Sequence, residues 1–383
     1  APLPASFMRT LFCNSFYGAG GIGQHFAQLV EDSRRAGELD RYYAYGLRDG
    51  DAEGRVVPRR TFGLLKYTPI RWSPTWKSHV VNEIFDRDVA RQIASLTGTP
   101  PHALMGFVGK SLHTFRQGAN LGADTLELVA ANSHVDNIQA LHARAAADSG
   151  IRDSWLNDTQ QRKTLKEYAL ADRIYVHSKY VRESFIRAGI PESKLVRTVL
   201  RPDARFRPPA SRPVDDRFRI VYVGRVEMTK GMGVLLDAFD AFDRPNARLT
   251  LVGGWSSRAV RQHVEARIDR DPRITLAPGD PLPVLQQGDV FVHPSYEDGF
   301  GYAPVEALAC GLPVIVTQDT GMKEYVEPGL NGHIVPTGSV DAVVSALEQI
   351  TSNPLATTTS LLPDLATSAL PSEPSLAAAP SST

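Results

Sequence analysis

The sequence predicts an α/β protein made of two doubly wound domains with parallel sheets, and three observations carry that expectation. Short apolar stretches alternate with amphipathic helical stretches in both halves of the chain, the order that lays parallel strands between helices. The 383 residues, 42% hydrophobic and 22% charged, are enough for two cores at roughly 100–200 residues per domain. Between the halves, residues 206–218 (FRPPASRPVDDRF) are rich in proline and charge and lack apolar periodicity, which reads as a linker.

Taken in order, the strand candidates of the first half are Met8–Asn14, Tyr42–Gly46, Leu126–Ala130 and Ile174–His177, most of them followed by a helix. After the linker come a strand at Arg219–Val223, a helix at Gly233–Phe242, a strand at Arg248–Val252, a helix at Ser257–Arg267, a strand at Ile274–Ala277, and strands near Val290 and Val314. The expected units are therefore residues 1–207, residues 208–350 and a tail, 351–383. That tail has no Lys or Arg and is mostly Ser, Thr, Pro, Ala and Leu. Such a composition cannot bury a core, so disorder is expected there.

Composition removes several classes of protein. No run of eighteen apolar residues exists, and the first residues lack a charged segment followed by an apolar one, so the expectation is a cytoplasmic chain that does not span a membrane. Two cysteines, Cys13 and Cys310, provide neither a disulfide framework nor a Cys-rich zinc site. The 42 basic and 42 acidic side chains cancel, but residues 1–215 hold 30 of the basic and 22 of the acidic ones. A basic first half suits an anionic partner or a membrane surface. Residues 54–82 concentrate this, with Arg55, Arg59, Arg60, Lys66, Arg71 and Lys77, four aromatics and no acid. The stretch fits either a peripheral contact with anionic lipid or a loop packing its aromatics inward, the second being the more ordinary outcome. A neutral chain is not expected to bind nucleic acid.

The densest chemical signal is residues 294–313, PSYEDGFGYAPVEALACGLP. An apolar strand ends in a loop holding Gly299, Phe300 and Gly301, and a helix is expected to start near Pro304, a residue suited to a first turn. Free N–H groups from Gly301 to Val305 then form an anion site. Glu306 is expected in the first turn, with Asp298 eight residues earlier across the glycine loop. Two carboxylates beside a phosphate make sense as acceptors for hydroxyls, and a nucleotide sugar offers hydroxyls on its ribose and on its transferred sugar. Acids that merely complement a helix dipole would account for Glu306 but not for the glycines and the second carboxylate.

Three weaker signals accompany it. In residues 221–231, VYVGRVEMTKG, a strand ends at Gly224, and Arg225 and Lys230 can converge on a diphosphate. Residues 18–23, GAGGIG, formally satisfy G-x-G-x-x-G ahead of a helix expected at Gln24–Arg35, and by themselves suggest a dinucleotide site. That opens the alternative of an NAD-dependent oxidoreductase, but Phe16 and Tyr17 intervene after the strand and Asp49 comes late for a ribose acid. Finally, AANSH at 130–134 places His134 at a strand end, although a lone His is more often structural. Asp-Arg-Asp at 86–88 and 269–271 reads as surface charge, so no metal is expected.

The carboxylate, seven residues, carboxylate pattern of Asp298 and Glu306 resembles that of retaining glycosyltransferases of family 4, whose GT-B fold faces two Rossmann-like domains across a cleft. The usual first carboxylate is a Glu directly before Gly-Phe-Gly; here that place holds Asp298, with Glu297 one residue earlier. The resemblance implies that Glu306 binds ribose hydroxyls, that Asp298 contacts the donor sugar, and that amides around Gly301 and Tyr302 hold the distal phosphate. It makes Gly224, Arg225 and Lys230 a pyrophosphate clamp, brings Gly20, Gly21 and Ile22 up from the opposite domain, and sets His134 near the sugar. It further implies transfer of a hexosyl unit, with retention, from a nucleotide sugar to a glycan, lipid-linked or other hydroxyl acceptor, without metal or cofactor. A non-catalytic nucleotide-sugar-binding protein is the other alternative. Family members usually end in helices that cross back to the first domain, whereas this chain enters its Ser/Thr/Pro/Ala tail after Ile350.

Overall fold

The computed structural model describes residues 7–57, 67, 68, 70, 73–96, 102–353 and 355. Seven strands make the first sheet: β1 (Arg9–Phe12), β2 (Leu39–Ala44), β3 (Gly54–Val56), β4 (Ala103–Phe107), β5 (Thr125–Ala130), β6 (Arg173–Val176) and β7 (Leu195–Arg197). Their order is β3-β2-β1-β4-β5-β6-β7, and every neighbouring pair is parallel. Six more, β8 (Phe218–Val223), β9 (Ala247–Val252), β10 (Ile274–Leu276), β11 (Val290–His293), β12 (Val314–Thr317) and β13 (Gly332–Val335), form a second parallel sheet in the order β10-β9-β8-β11-β12-β13. The strand order reverses between β1 and β4 in one sheet and between β8 and β11 in the other. Such switch points open a crevice at the carboxyl ends of the strands.

Helices cover the sheets: α1 (Gly20–Arg35), α2 (Pro74–Ala94), α3 (Leu112–Leu121), α4 (Val135–Ser149), α5 (Asp158–Leu170) and α6 (Lys179–Arg187) in the first half. The second half has α7 (Met232–Ala241), α8 (Arg258–Ile268), α9 (Leu282–Gln287), α10 (Tyr302–Ala309) and α11 (Val340–Ser352). With both faces covered, strand interiors read as continuous apolar runs instead of alternating ones. That is why β4 (ALMGF), buried at all five positions, carries no period-two signal and was not expected. Gly106 within it is a packing requirement, since a Cβ there would come within 2.2 Å of the Phe12 ring. The other strands not expected, β3, β7 and β13, have only three or four residues.

Two boundaries differ from expectation in ways that matter for the site. α1 begins at Gly20 instead of Gln24, so the glycines form its first turn. α11 runs to Ser352 and packs Val343, Leu347 and Ile350 into the core of the second domain, so the expected tail boundary at 351 falls within its last turn; residues 354 and 356–383 lie outside the described residues. The linker has no regular structure, but Arg212 pins it, donating from Nη2 to the carbonyls of Cys310 and Gly311, both at 2.9 Å. Those carbonyls end α10, where a cation is favoured. Of the basic stretch 54–82, residues 58–66, 69, 71 and 72 are outside the described residues.

Candidate functional site in the interdomain cleft

Adjacent parallel strands β8 and β11 set the loops after them side by side. The first loop ends in a short 3-10 turn, Met228–Lys230, from which Lys230 Nζ donates to Asp298 Oδ2 at 2.8 Å and to the Glu297 carbonyl at 3.0 Å. His293, the last residue of β11, places Nε2 3.1 Å from the same Asp298 oxygen. Burial alone would raise the Asp298 pKa, but the Lys230 ammonium and His293 outweigh it and hold the carboxyl well below the usual range. Burial likewise opposes the Lys230 charge, and Asp298, Glu227 and Glu297 more than offset it. Gly224 adopts φ 150 at the end of β8. Arg225 next to it is 59% exposed, with Nε 3.9 Å from Glu227 Oε2; the guanidinium is available to a ligand.

The second loop leads into α10, whose N-cap is Gly301 with φ 85. The helix starts at Tyr302, two residues before the expected position, so Pro304 is its third residue and Glu306 lies in the second turn. No acid stands in the first turn. Pro304 has no N–H, and Val305 N already reaches the Gly301 carbonyl at 3.5 Å, leaving the amides of Tyr302 and Ala303 at the helix start for an anion. Phe300 is a core residue, 2% exposed, with its ring against Tyr302 and Tyr325; it offers a ligand only backbone. Glu306 is 5% exposed. Burial raises its pKa to about 7, with a hydrogen bond from Gln24 acting against that rise.

Gln24 comes from the first domain, and this is where the two crevices meet. A Cβ on Gly21 would stand 3.6 Å from the Tyr302 ring, so the first turn of α1, Gly20 to Ile22, abuts the first turn of α10. Ile22 is 43% exposed there. Two buried polar atoms at this junction, Gln24 Oε1 and the Tyr302 hydroxyl, have no partner among the described residues, and neither has His293 Nδ1 at the end of β11. Buried polar groups are nearly always paired, so these atoms are free to bond a ligand's hydroxyls or a water. Gln24 and His293 were not expected as site residues; Gln24 could have been noticed as the residue directly after the glycine run.

Neighbouring carboxylates divide the work unexpectedly. Glu297, 2% exposed, points to the first domain and accepts from Ser133 N at 2.9 Å and Asn132 Nδ2 at 2.8 Å. Gly299 faces the same way: a Cβ would fall 2.1 Å from the Ala131 carbonyl oxygen, and its own carbonyl accepts from Ser178 Oγ at 2.7 Å. Asp153 of the first domain accepts from Met228 N at 3.1 Å and Ser256 Oγ at 2.6 Å. Ala145 on α4 is buried in the second domain's core.

His134 caps α4. Its Nδ1 accepts from Asp136 N at 3.3 Å, its ring packs on Tyr168 and Phe185, with centroids 5.0 and 5.3 Å away, and it is 3% exposed. Only Nε2 is left for a ligand. The Asp86–Asp88 acids are not surface charge throughout, as had been expected, because Asp86 is fully buried and accepts from the amides of His113 and Thr114. Glu83, Asp86 and His113 are grouped as metal ligands could be. There Lys163 Nζ approaches Glu83 at 2.6 Å and Asp86 at 2.8 Å, taking the place of a cation.

Residues 204–361 match the family described as glycosyl transferases group 1. The second domain is a glycosyl transferases group 1 domain. The D-inositol 3-phosphate glycosyltransferase of Saccharomonospora viridis is 30% identical over 210 residues, 49% of this chain and 49% of that protein. The GDP-mannose-dependent alpha-(1-6)-phosphatidylinositol monomannoside mannosyltransferase of Mycolicibacterium smegmatis is 28% identical over 206 residues, 48% of this chain and 54% of that protein. The chain thus spans about half the length of these curated relatives. The fold extends further than the sequence similarity. Sucrose-phosphate synthase from Thermosynechococcus elongatus superposes with a TM-score of 0.69 at 19% identity over 91% of this chain and 90% of that one. WaaG, a glycosyltransferase involved in lipopolysaccharide biosynthesis, gives 0.64 at 15% identity over 90% and 91%. The architecture is therefore GT-B.

The group 1 domain carries Gly224, Arg225, Lys230, Asp298, Tyr302 and Glu306, while the partner domain contributes Gln24. The dinucleotide reading of Gly18–Gly23 is not favoured, since β2 ends at Ala44 and no acid follows directly. No described helix is long and apolar enough to cross a membrane.

Proposed function

We propose that the chain is a retaining glycosyltransferase that moves a hexosyl unit from a nucleotide sugar to a hydroxyl of a glycan or lipid-linked acceptor, working on the cytoplasmic side without metal or cofactor. The observation that carries this reading is the junction of Gln24, Tyr302 and Glu306. It sets a hydroxyl-accepting carboxyl and unpartnered polar atoms beside a helix start, with the cations Arg225 and Lys230 on the neighbouring loop. In the proposed complex Glu306 accepts from ribose hydroxyls, while the amides of Tyr302 and Ala303 and the first turn of α1 at Gly20, Gly21 and Ile22 surround the distal phosphate. Gly224 lets the backbone come close, and Arg225 and Lys230 neutralise the leaving diphosphate, the charge that grows in the transition state.

Asp298 acts first on Lys230, orienting its ammonium, and meets the sugar from that position. His134 is neutral because burial lowers its pKa; with Nδ1 accepting from Asp136, the proton sits on Nε2, making the ring a donor to a sugar hydroxyl and not a base. The acceptor oxygen bonds to the anomeric carbon on the face the phosphate leaves, the sugar–phosphate bond breaks, and the acceptor's proton passes to a phosphate oxygen. Calorimetry with UDP, GDP and ADP sugars, followed by assay of donor hydrolysis and of the anomeric configuration of the product, tests this. Absence of binding to all three overturns it, inversion overturns the retaining step, and loss of turnover in chelator overturns metal independence. Trp76 is half exposed at the start of α2, and anionic vesicles test whether this region meets a membrane.

A further inference from the structure

We infer that the cavity between α2 and α8 binds a phosphorylated saccharide, the anionic acceptor of the proposed reaction; its role as acceptor site rests on that donor reading. The cavity has a volume of about 830 Å³ and is lined from both domains, within the size that small ligands fill. Arg225, exposed beside the candidate diphosphate site, forms part of its wall, so a ligand here lies next to the donor.

The lining has the chemistry of a charged sugar site. Trp155 and Trp255 line it, supplying flat apolar faces of the kind that pack on the C–H face of a sugar ring. Asp153, 6% exposed, lines it; Oδ2 accepts from Ser256 Oγ, while Oδ1, with the Ser257 hydroxyl nearby, has no hydrogen bond of good geometry among the described residues. Of the lining cations, Arg261 is paired with Glu265 at 2.8 Å and Arg225 leans toward Glu227. Lys77 and Arg258 line the same cavity, and neither has a carboxylate partner among the described residues.

Their positions strengthen the point. Arg258 is the first residue of α8 and Lys77 lies in the first turn of α2, and neither helix has an acid in its first turn. A cation there is opposed by the positive end of the helix dipole, a cost that a bound anion reverses. Two cations without carboxylate partners among the described residues, at two helix starts and lining one cavity with two indoles and Asp153, suit a phosphate ester next to a sugar ring.

The test uses the full chain and four probes, glucose 6-phosphate, glucose, inorganic phosphate and UDP, followed by calorimetry and by the fluorescence of the lining tryptophans. Glucose 6-phosphate is expected to bind at least about tenfold tighter than glucose, and Lys77→Ala and Arg258→Ala each to weaken it by about tenfold, the scale of one charged hydrogen bond. UDP binding should be unchanged in both variants. Equal binding of glucose and glucose 6-phosphate, undiminished binding in the variants, or displacement of glucose 6-phosphate by UDP from one shared site overturns the inference. Inorganic phosphate binding as tightly as glucose 6-phosphate overturns its saccharide half. If UDP fails to bind while glucose 6-phosphate binds as expected, the donor reading fails and the site stands. Phosphatidylinositol vesicles, against phosphatidylcholine ones, separate the two sources: binding to the former that Arg258→Ala weakens supports a lipid-borne headgroup, and absence of binding to both vesicles and glucose 6-phosphate overturns the site.

Discussion

Glu306→Gln isolates the strain that a buried carboxyl places on this domain. The Glu306 carboxyl is 5% exposed, and burial raises its pKa from 4.5 to about 7. The folded chain therefore keeps a proton that the unfolded chain releases between pH 4.5 and 7. A raised carboxyl pKa means that this stability is fully present below pH 4.5 and is lost as pH rises toward 7. The 2.5-unit difference corresponds to about 3 kcal/mol at full ionisation. Glutamine has the same shape and cannot ionise, so the variant should match the natural chain at pH 4.5 and exceed it by up to about 3 kcal/mol at pH 8. Urea unfolding across that range measures the difference, and calorimetry with nucleotide sugars on the same samples should show weaker binding, because a carboxamide is a poorer acceptor for ribose hydroxyls. Glu167, also raised to about 7 by burial, contributes to the slope left in the variant, with Glu227, Glu297, Asp153 and Asp289, whose pKa values burial also raises, and Glu167→Gln serves as a control. An unchanged pH slope, or a variant less stable than the natural chain at pH 8, would refute the assignment of strain to Glu306.

Other perturbations separate the cleft residues from one another. Lys230→Ala leaves Asp298 with His293 alone and should lower stability by about 3 kcal/mol or more and abolish nucleoside diphosphate binding by calorimetry; retained binding rules out the clamp. Asp298→Asn removes a carboxylate facing the diphosphate and should tighten UDP binding by about tenfold, on the scale of one charge–charge contact near a protein surface, while slowing donor hydrolysis. Weaker UDP binding in that variant would show that the hold of Asp298 on Lys230 outweighs its repulsion of the diphosphate. Glu297→Ala deprives Ser133 and Asn132 of their acceptor, and small-angle scattering should record a larger radius of gyration; an unchanged radius means the domains are held closed by other contacts. His134→Ser keeps a capping oxygen for α4, and His134→Ala loses it at about 1 kcal/mol. If both transfer sugar at the natural rate, Nε2 is not a donor to the substrate.

Much of the candidate site could be proposed from the sequence because it is local. Gly224, Arg225 and Lys230 lie within one turn after a strand, and Asp298 to Glu306 within one loop and helix. The exceptions are instructive. Glu297 and Asp298 are adjacent in a loop, and successive side chains there point in different directions, so one carboxylate meets the first domain and the other Lys230. No spacing rule tells which. His134 ends a strand, as a ligand-binding residue would, yet the same position is the N-cap of the next helix, and capping occupies one of its nitrogens. The helix start at Tyr302 was missed because Pro304 is tolerated anywhere in a first turn, and two residues of shift move Glu306 out of the strongest field of the helix dipole.

By itself the sequence determined the alternation of nine of the thirteen strands with helices, the parallel character of both sheets and the glycines that turn the backbone after β8 and β11, because these follow from side-chain periodicity and backbone sterics over a few residues. Only the tertiary structure decided which groups share the cleft. Gln24 and Glu306 meet because two switch points face each other, and Asn132 reaches Glu297 across 165 positions of chain. Such partners are chosen by how two finished domains pack, and their burial shifts the acidity of Glu306 in a way that no local stretch of sequence encodes.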